Sequence, residues 1–230
     1  MRTSEGSFQK VAARLEETTR RINALVDVDV HWYRRVFHAF AASFLVYYLV
    51  PDVLWMSVVK VAVLLGVLSV IAFLEYLRIK GRIESTTFFG LRLYEQERAG
   101  SYLYFGVAVV PLLLFFPQQI AIPCILCASL ADPLMGEFRY RFGDRYAVIL
   151  GFFVCLLFFS LVWRTGDPLV MTGVSVVGAA LAVGGEARKF RWVDDDFMIQ
   201  MLPAVLLSLL WFGLKTQGVD ILPAVVLHPL

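Results

Sequence analysis

Carboxylates stand where long apolar segments of the chain end or begin. Asp132 ends one apolar run and directly precedes Pro133, while Asp195 opens a later run. Carboxylates on the ends of separate helices suit Mg²⁺, which also keeps water molecules and binds substrate phosphates. The pattern therefore predicts a Mg²⁺ site at Asp132 and Asp195. The alternative for the acidic triplet Asp194–Asp196, which opens the later run, is helix capping, because aspartate also favours a helix N-terminus.

Cationic side chains near these carboxylates predict phosphate binding. Guanidinium groups bind phosphate oxygens in a two-pronged geometry. The arginines beside the ends of apolar segments are Arg34, Arg35, Arg78, Arg98, Arg139, Arg141 and Arg145. His38 and Glu186 are candidates to orient or deprotonate an attacking hydroxyl. A metal ion with cationic side chains around it is typical of phosphoryl or nucleotidyl transfer.

Several of these residues also have simpler interpretations. Arg34 and Arg35 suit plain anchors at a membrane surface, and His38 suits a hydrogen bond to a neighbouring helix. Glu75 and Arg78 are one helical turn apart, a spacing at which the two side chains pair. Ionisable groups near hydrocarbon are costly, so their gathering at segment ends favours the functional interpretation.

Composition indicates what positions these side chains. The chain has 230 residues, of which 59% are hydrophobic and 17% charged, and its mean hydropathy is +0.72. A soluble domain has about a quarter of its residues charged. The apolar runs are continuous and approach the roughly 20 residues of a membrane span, which predicts helices, because a span must satisfy its own backbone in lipid. The predicted fold is an all-α, polytopic integral membrane bundle.

Seven transmembrane helices are predicted, preceded by an amphipathic segment. The spans cover residues 36–51, 54–77, 101–117, 119–135, 146–163, 168–187 and 197–214. Pro123 in the fourth predicts a tilted, broken or partly re-entrant segment. Apolar residues recur at helical spacing within 1–35, which predicts an N-terminal amphipathic helix on the membrane surface or packed against the next loop. The domains are thus a cytoplasmic segment, 1–35, and a transmembrane catalytic domain, 36–230.

Basic residues determine the predicted orientation. Eighteen of the 21 lysines and arginines lie in four segments, 1–35, 78–98, 139–145 and 188–191. The positive-inside rule places these segments, and with them the N-terminus, in the cytoplasm. The candidate site residues then share the cytoplasmic face of a cell membrane or an endoplasmic-reticulum-type membrane.

Other unusual residues favour packing over chemistry. Cys124 and Cys127 have the C-x-x-C spacing of redox and metal sites, but neither a second pair nor a nearby histidine accompanies them. Thiols inside apolar runs are more often small packing residues. Mid-span positions are almost all apolar. The sequence shows neither the repeated halves nor the midplane charges expected of a transporter.

Four stretches resemble the family of dolichol kinases and phytol kinases, lipid kinases related to membrane CDP-lipid synthases. In the family's order they are RRVFHAF (34–40), FLEYLR (73–78), ASLADPLMGEFRYRFG (128–143) and GGEARKFRWVDDDFMIQMLP (184–203). They match its Arg-Arg-x-x-His, its Glu-x-x-Arg, its Asp-Pro followed by Phe-Gly, and its Glu followed by Asp-Asp. The chain departs from the family at Arg139, where glycine is usual, and 144–153 lacks the family's lysines and Glu-Gly-Ser.

The resemblance implies a function and a set of site residues. It implies a membrane enzyme that uses CTP and Mg²⁺ to phosphorylate a lipid alcohol of the polyprenol, dolichol or phytol type. The implied catalytic residues are His38, Asp132 and Glu186, and the implied metal ligands are Asp132, Asp194 and Asp195. Glu75 and Gly143 join the arginines as substrate- or nucleotide-binding residues.

Two other functions stay open at this point. One is a CDP-lipid synthase, and the other is a membrane carrier or scaffold without enzymatic activity. The partners expected of the kinase are a lipid alcohol, a nucleoside triphosphate and the surrounding membrane lipids, with no nucleic acid.

Overall fold

The computed structural model describes residues 30–83, 98–187 and 193–230, with side chains from Arg35 onward, and every regular element in these ranges is helical. In chain order they are α1 (Val30–Phe40), a 3-10 helix (Ala41–Tyr48), α2 (Leu54–Ile79), α3 (Ser101–Phe115), α4 (Gln118–Phe142), α5 (Asp144–Trp163), α6 (Pro168–Ala187) and α7 (Asp195–Thr216).

Five of these helices, α2 and α4 to α7, are long and apolar enough to cross a membrane. The predicted all-α membrane class is thereby confirmed. The first predicted span, 36–51, falls on the end of α1 and the 3-10 helix, and the third falls on α3, which has 15 residues. The count of seven spans stays a prediction. So does the N-terminal amphipathic helix, because residues 1–29 lie outside the described chain.

Pro123 does not break α4. A proline has no N–H to donate, so the carbonyl four residues earlier loses its helical partner. That carbonyl belongs to Gln119, and it accepts a hydrogen bond of 2.8 Å from Trp163 Nε1 on α5. The irregularity comes one turn later, where Cys127–Ala131 form a π-helical turn before the α-helix resumes at Asp132. A side chain from a neighbouring helix thus replaces the bond that proline removes.

A single residue joins α4 to α5. Gly143 has a φ of +92°, in the region that glycine adopts without steric cost, and its N–H donates to the carbonyl of Arg139. The two helices then pack closely, because a Cβ added to Gly151 would lie 1.9 Å from Met135 Sδ. The sharp corner and the missing side chain together hold α4 against α5.

Glycines also let the next helices approach one another. Gly178 on α6 faces the ring of Phe159 on α5, where an added Cβ would come within 2.7 Å. A Cβ on Gly185 would lie 2.7 Å from the backbone oxygen of Met198 on α7. Small residues are typical of helix contacts in membranes, where close packing replaces the hydrophobic driving force. α2 stands apart from this core and packs mainly against α3.

The helix ends form two sets. The basic end contains the last residues of α2, α4 and α6 and the first residues of α3, α5 and α7, and the opposite end contains their other termini. At the basic end, ion pairs join α1 to α4 and α4 to α6. There His38 of α1 also faces Asp196 of α7. Residues 217–230 form no helix and cover the opposite end. There Leu230 N donates to the carbonyl of Leu49 at 2.9 Å, and Gln119 Nε2 donates to that of Pro223 at 2.8 Å.

Replacing Gly185 with alanine tests the contact between α6 and α7. The added methyl group meets backbone rather than a flexible side chain, so the helices must separate. We expect Gly185→Ala to lower the free energy of unfolding by about 1–3 kcal/mol, measured by SDS titration in mixed micelles. Gly184→Ala is the matched control, because a Cβ there meets nothing within 4 Å. Equal stability of the two variants would contradict the contact.

Candidate functional site

α1 carries His38 in its last turn, just before the 3-10 helix begins. The imidazole meets the ring of Phe105 on α3 edge-on, with the ring centroids 5.9 Å apart and an interplanar angle of 89°. The side chain is 12% exposed, and its Nδ1 lies 3.9 Å from Oδ1 of Asp196 on α7. One side of the ring is thus held by an apolar neighbour, while a nitrogen faces a carboxylate.

The π turn of α4 positions Asp132. The turn, Cys127–Ala131, directly precedes Asp132, and it contacts both α1 and α7. A π turn inserts an extra residue into the helix and so rotates everything after it, and such turns are frequent at functional sites. Asp132 consequently begins the last part of α4 at the point where three helices meet.

The start of α7 carries three successive aspartates with different surroundings. Oδ1 of Asp194 accepts a hydrogen bond of 3.1 Å from the N–H of Asp196, so Asp194 caps the helix. Asp196 is only 1% exposed and shares its buried face with Ile199 and Gln200. The capping alternative from the sequence therefore describes Asp194, while Asp196 turns its carboxylate into the bundle.

His38, Asp132 and Asp196 form the centre of the candidate site. Each offers one ligand atom, and these atoms all lie within 4.8 Å of one another. We name this set the His–Asp–Asp cluster. Two carboxylates suit a hard cation such as Mg²⁺, whereas imidazole is a softer ligand that suits zinc or copper better. The donor set therefore fits Mg²⁺ on the two carboxylates, with the imidazole beside it.

Sequence reasoning did not assign a ligand role to Asp196. It placed the metal ligands of α7 at Asp194 and Asp195, whose carboxylates do lie beside that of Asp196, within 4.8 Å. The signal was helical phase: residues 196, 199, 200, 203 and 207 repeat at the spacing of one buried face. Extending this spacing back towards the start of α7 reaches the third aspartate, Asp196.

Glu186 is held by an arginine from another helix. Arg139 on α4 contacts both carboxylate oxygens of Glu186 on α6, at 2.8 and 3.0 Å, and donates to Asp144 at 2.9 Å. Glu186 is 3% exposed and lies close enough to Asp132 and Asp195 to be repelled by their charges. Arg139 thus brings a positive charge to a site that contains Glu186 and the carboxylates of Asp132 and Asp194–Asp196.

The other candidate arginines of this end differ in accessibility. Arg35 of α1 and Arg141 of α4 both pair with Glu137, and their side chains are 40% and 65% exposed. Gly143 and Arg145 are exposed at the α4–α5 corner. The side chain of Arg34 lies outside the described residues, so its predicted role stays a prediction.

Glu75 and Arg78 form a second, separate buried network. Arg78 Nε and a terminal nitrogen donate to the two oxygens of Glu75 at 2.8 and 2.6 Å, and Arg78 also donates to the backbone carbonyl of Arg98. Glu75 further accepts from the N–H of Gly100, at 2.5 Å, and from the hydroxyl of Tyr102. The alternative of pairing within the helix is confirmed, and the pair fastens α2 to the start of α3.

Two polar groups lie beneath the His–Asp–Asp cluster. Ser129 precedes Asp132 by three residues and Gln200 follows Asp196 by four, so each stands about one turn further from the basic end. Both residues are 0% exposed, and among the described residues neither Ser129 Oγ nor Gln200 Oε1 has a hydrogen-bond partner. Buried polar atoms without a partner are uncommon. They give the cluster a polar floor within the bundle.

The three cysteines are free thiols that are fully buried, at Cys124 and Cys127 on α4 and at Cys155 on α5. They join the apolar core between these helices. This environment favours the packing interpretation of the C-x-x-C spacing.

The four sequence stretches that resemble lipid kinases lie on α1, at the end of α2, on α4 and across the α6–α7 connection. In each, the residues that the structure describes lie at the basic end. Comparison of the chain with protein-family models, with curated proteins and with solved structures gives no match in any of the three.

Removing one partner of the Glu75–Arg78 pair tests its structural role. Arg78→Met leaves a buried carboxylate without its main counter-charge, and breaking such a pair typically costs about 3–5 kcal/mol. We expect that loss in an SDS titration. Lys80→Met, which removes an exposed cation two residues away, is the control and should change stability little. A nucleotide-binding role without a structural one would leave both variants equally stable.

Proposed function

We propose that the protein is a membrane lipid kinase that transfers a phosphoryl group from CTP to a lipid alcohol of the polyprenol, dolichol or phytol type. The observation that carries the proposal is the His–Asp–Asp cluster. Three separate helices bring an imidazole and two carboxylates within 4.8 Å of one another at the basic end of an apolar bundle. A group of ionisable residues in such a position is by default functional.

The proposal assigns Mg²⁺ to the carboxylates of Asp132 and Asp196, with Asp194 and Asp195 close by. When bound, Mg²⁺ neutralises charge on the phosphates of the nucleotide and aligns them. The carboxylate oxygens are the ligands that this ion prefers.

His38 is the general base of the proposed reaction. Its imidazole accepts the proton of the lipid hydroxyl while the hydroxyl oxygen bonds to the γ-phosphorus. The bond from that phosphorus to the bridging oxygen breaks, and CDP leaves with the electron pair. Asp196, 3.9 Å from Nδ1, stabilises the imidazolium that forms. The polar floor of Ser129 and Gln200 provides hydrogen-bond partners for the hydroxyl.

The exposed arginines of the basic end provide the nucleotide side of the site. Arg35 and Arg141 share one carboxylate, that of Glu137, so together they carry an excess positive charge. Their exposure leaves them accessible to a soluble triphosphate. Arg139, in the position where the resemblance predicts glycine, links Glu186 to Asp144 and offsets the negative charge of the cluster.

The proposed topology has seven crossings, with the N-terminus and the basic end in the cytoplasm. Successive elements from α1 to α7 lead alternately to the two ends of the bundle, and the basic segments of the sequence fall at one end. This arrangement satisfies the positive-inside rule. It also places the cluster where cytoplasmic CTP and a membrane-embedded hydroxyl meet.

Product analysis separates the kinase from its alternatives. The purified protein is reconstituted in liposomes with CTP, Mg²⁺ and either a lipid alcohol or a phosphatidic acid. The kinase releases CDP and forms a lipid phosphate, and EDTA abolishes the reaction. Pyrophosphate and a CDP-lipid would instead identify a synthase. Absence of nucleotide turnover together with solute flux across the liposomes would indicate a carrier.

Isosteric removal of one carboxylate tests the cluster. We expect Asp132→Asn and Asp196→Asn each to lower phosphate transfer by about 100-fold or more, because each loses a metal ligand and a charge. Asp167→Asn is the control, since Asp167 caps α6 at the opposite end and asparagine caps equally well. Full activity in either cluster variant would overturn the assignment.

Asp194 and Asp196 at the start of α7 are expected to differ. Asp194→Asn keeps the helix cap and removes a charge outside the cluster, so it should retain most activity and raise the Mg²⁺ requirement only slightly. Asp196→Asn should cost far more. The reverse order, measured as activity against Mg²⁺ concentration, would return the site to the ligands predicted from the sequence.

A further inference from the structure

A groove of about 400 Å³ lies between the 3-10 helix, α2 and α3. Its walls are almost entirely apolar and include Phe44 of the 3-10 helix, Val63 and Leu68 of α2, and Val109 of α3. Because α2 packs mainly against α3, the groove opens sideways along the apolar surface, and Val63 is 57% exposed. The groove is thus accessible from the lipid rather than from water.

Gly106 forms part of the α3 wall. A Cβ at this position would lie 3.3 Å from Leu68 Cδ1 on the facing helix, so a side chain there meets α2 at once. The absence of a side chain lets Leu68 of α2 lie close to α3 at this point of the wall.

Two aromatic rings, those of Phe44 and Phe105, lie between the groove and the His–Asp–Asp cluster. Phe44 lines the groove and lies 6.5 Å, centroid to centroid, from Phe105. Phe105 in turn lies 5.9 Å from the ring of His38. On the other side of α3 the core is packed, since Leu112, Ile120 and Ile125 are fully buried. A chain attached to a hydroxyl at His38 therefore finds room in the groove and not in the core.

Lys60 marks the far end of the groove. Its ammonium group lies over the ring of Tyr47 at 4.8 Å and donates to Oδ1 of Asp52 at 2.5 Å and to the carbonyl of Val50 at 3.3 Å. The side chain is only 9% exposed. An apolar chain gains nothing by passing this ion pair, so the polar group limits the length that the groove accepts.

The dimensions of the groove suit a single long chain. Between Lys60 and Ile71 its lining on α2 covers about 17 Å at the helical rise of 1.5 Å per residue. The hydrocarbon core of a bilayer is about 30 Å thick. A chain lying in this part of the groove would follow α2 across about half of the hydrocarbon core.

We propose that this groove binds the apolar tail of the acceptor as one extended chain that runs from His38 to Lys60. The position of the hydroxyl rests on the proposed kinase function, while the binding of the tail does not require catalysis. The groove, Gly106 and Lys60 then determine which lipid alcohols bind, whereas the His–Asp–Asp cluster acts on the hydroxyl that all of them share.

Filling the groove is the direct test. Gly106→Leu places an isobutyl group between α2 and α3. Its control is Gly66→Leu on α2, where an added Cβ meets nothing within 4 Å and which does not line the groove. We expect Gly106→Leu to raise the KM for a long isoprenoid alcohol about tenfold, because several methylene groups of its tail lose their contacts in the groove. The KM for a five-carbon prenyl alcohol should be unchanged, and Gly66→Leu should resemble the wild type with both.

A binding experiment separates this proposal from the proposed function. A long isoprenoid alcohol with a photoactivatable diazirine on its tail is irradiated with the full-length protein in nanodiscs, and the labelled peptides are identified. Labelling of α2 and α3 supports the groove if unlabelled alcohol competes it away and Gly106→Leu abolishes it. This outcome supports the groove even for a protein without kinase activity. Labelling elsewhere, or competition by ordinary phospholipid alone, overturns the groove and leaves the kinase intact. A Gly106→Leu variant that turns over the long alcohol normally also overturns it.

Discussion

Lipid does not solvate charge, and this constraint shapes the whole bundle. An ionisable side chain near the hydrocarbon must be paired, coordinated or placed at an end. The described residues show pairing and placement at an end. Glu75 and Arg78 neutralise one another in a buried network between α2 and α3. Lys60 is held by Asp52 near the opposite end. The remaining carboxylates gather with arginines at the basic end, where water and soluble ligands are accessible.

Departures from ideal helical geometry give the site its shape. Pro123 removes a backbone donor, and Trp163 from α5 takes its place at the carbonyl of Gln119. The π turn that follows rotates Asp132 towards α1 and α7. Gly185 lets α6 approach the backbone of α7, so Glu186 comes close to the aspartates at its start. Each irregularity is local, yet together they bring residues distant in sequence to one place.

The proposed chemistry divides between two regions with opposite properties. The basic end offers carboxylates, guanidinium groups and an imidazole to a charged nucleotide. The groove along α2 offers an apolar surface to a tail that never leaves the membrane. Phe105 touches both regions, since it packs against His38 on one side and Phe44 on the other. A lipid alcohol needs both environments at once, whereas a soluble substrate would use only the first.

The sequence alone determined the class of fold and the end of the bundle that holds the candidate site. Long apolar runs require helices in lipid, and the basic segments mark one end, so hydropathy and charge suffice for both conclusions. It also identified Asp132, His38 and Glu186, because an ionisable residue beside a span is conspicuous. Only the tertiary structure distinguishes Asp196, which is buried in the bundle, from Asp194 and Asp195, which are identical in type and adjacent in the chain. The choice depends on the rotation of α7 against its neighbours, and on the rotation that the π turn adds to α4. Arg78 was likewise ambiguous until its partners were visible, because pairing depends on distances between helices that no spacing within one helix encodes.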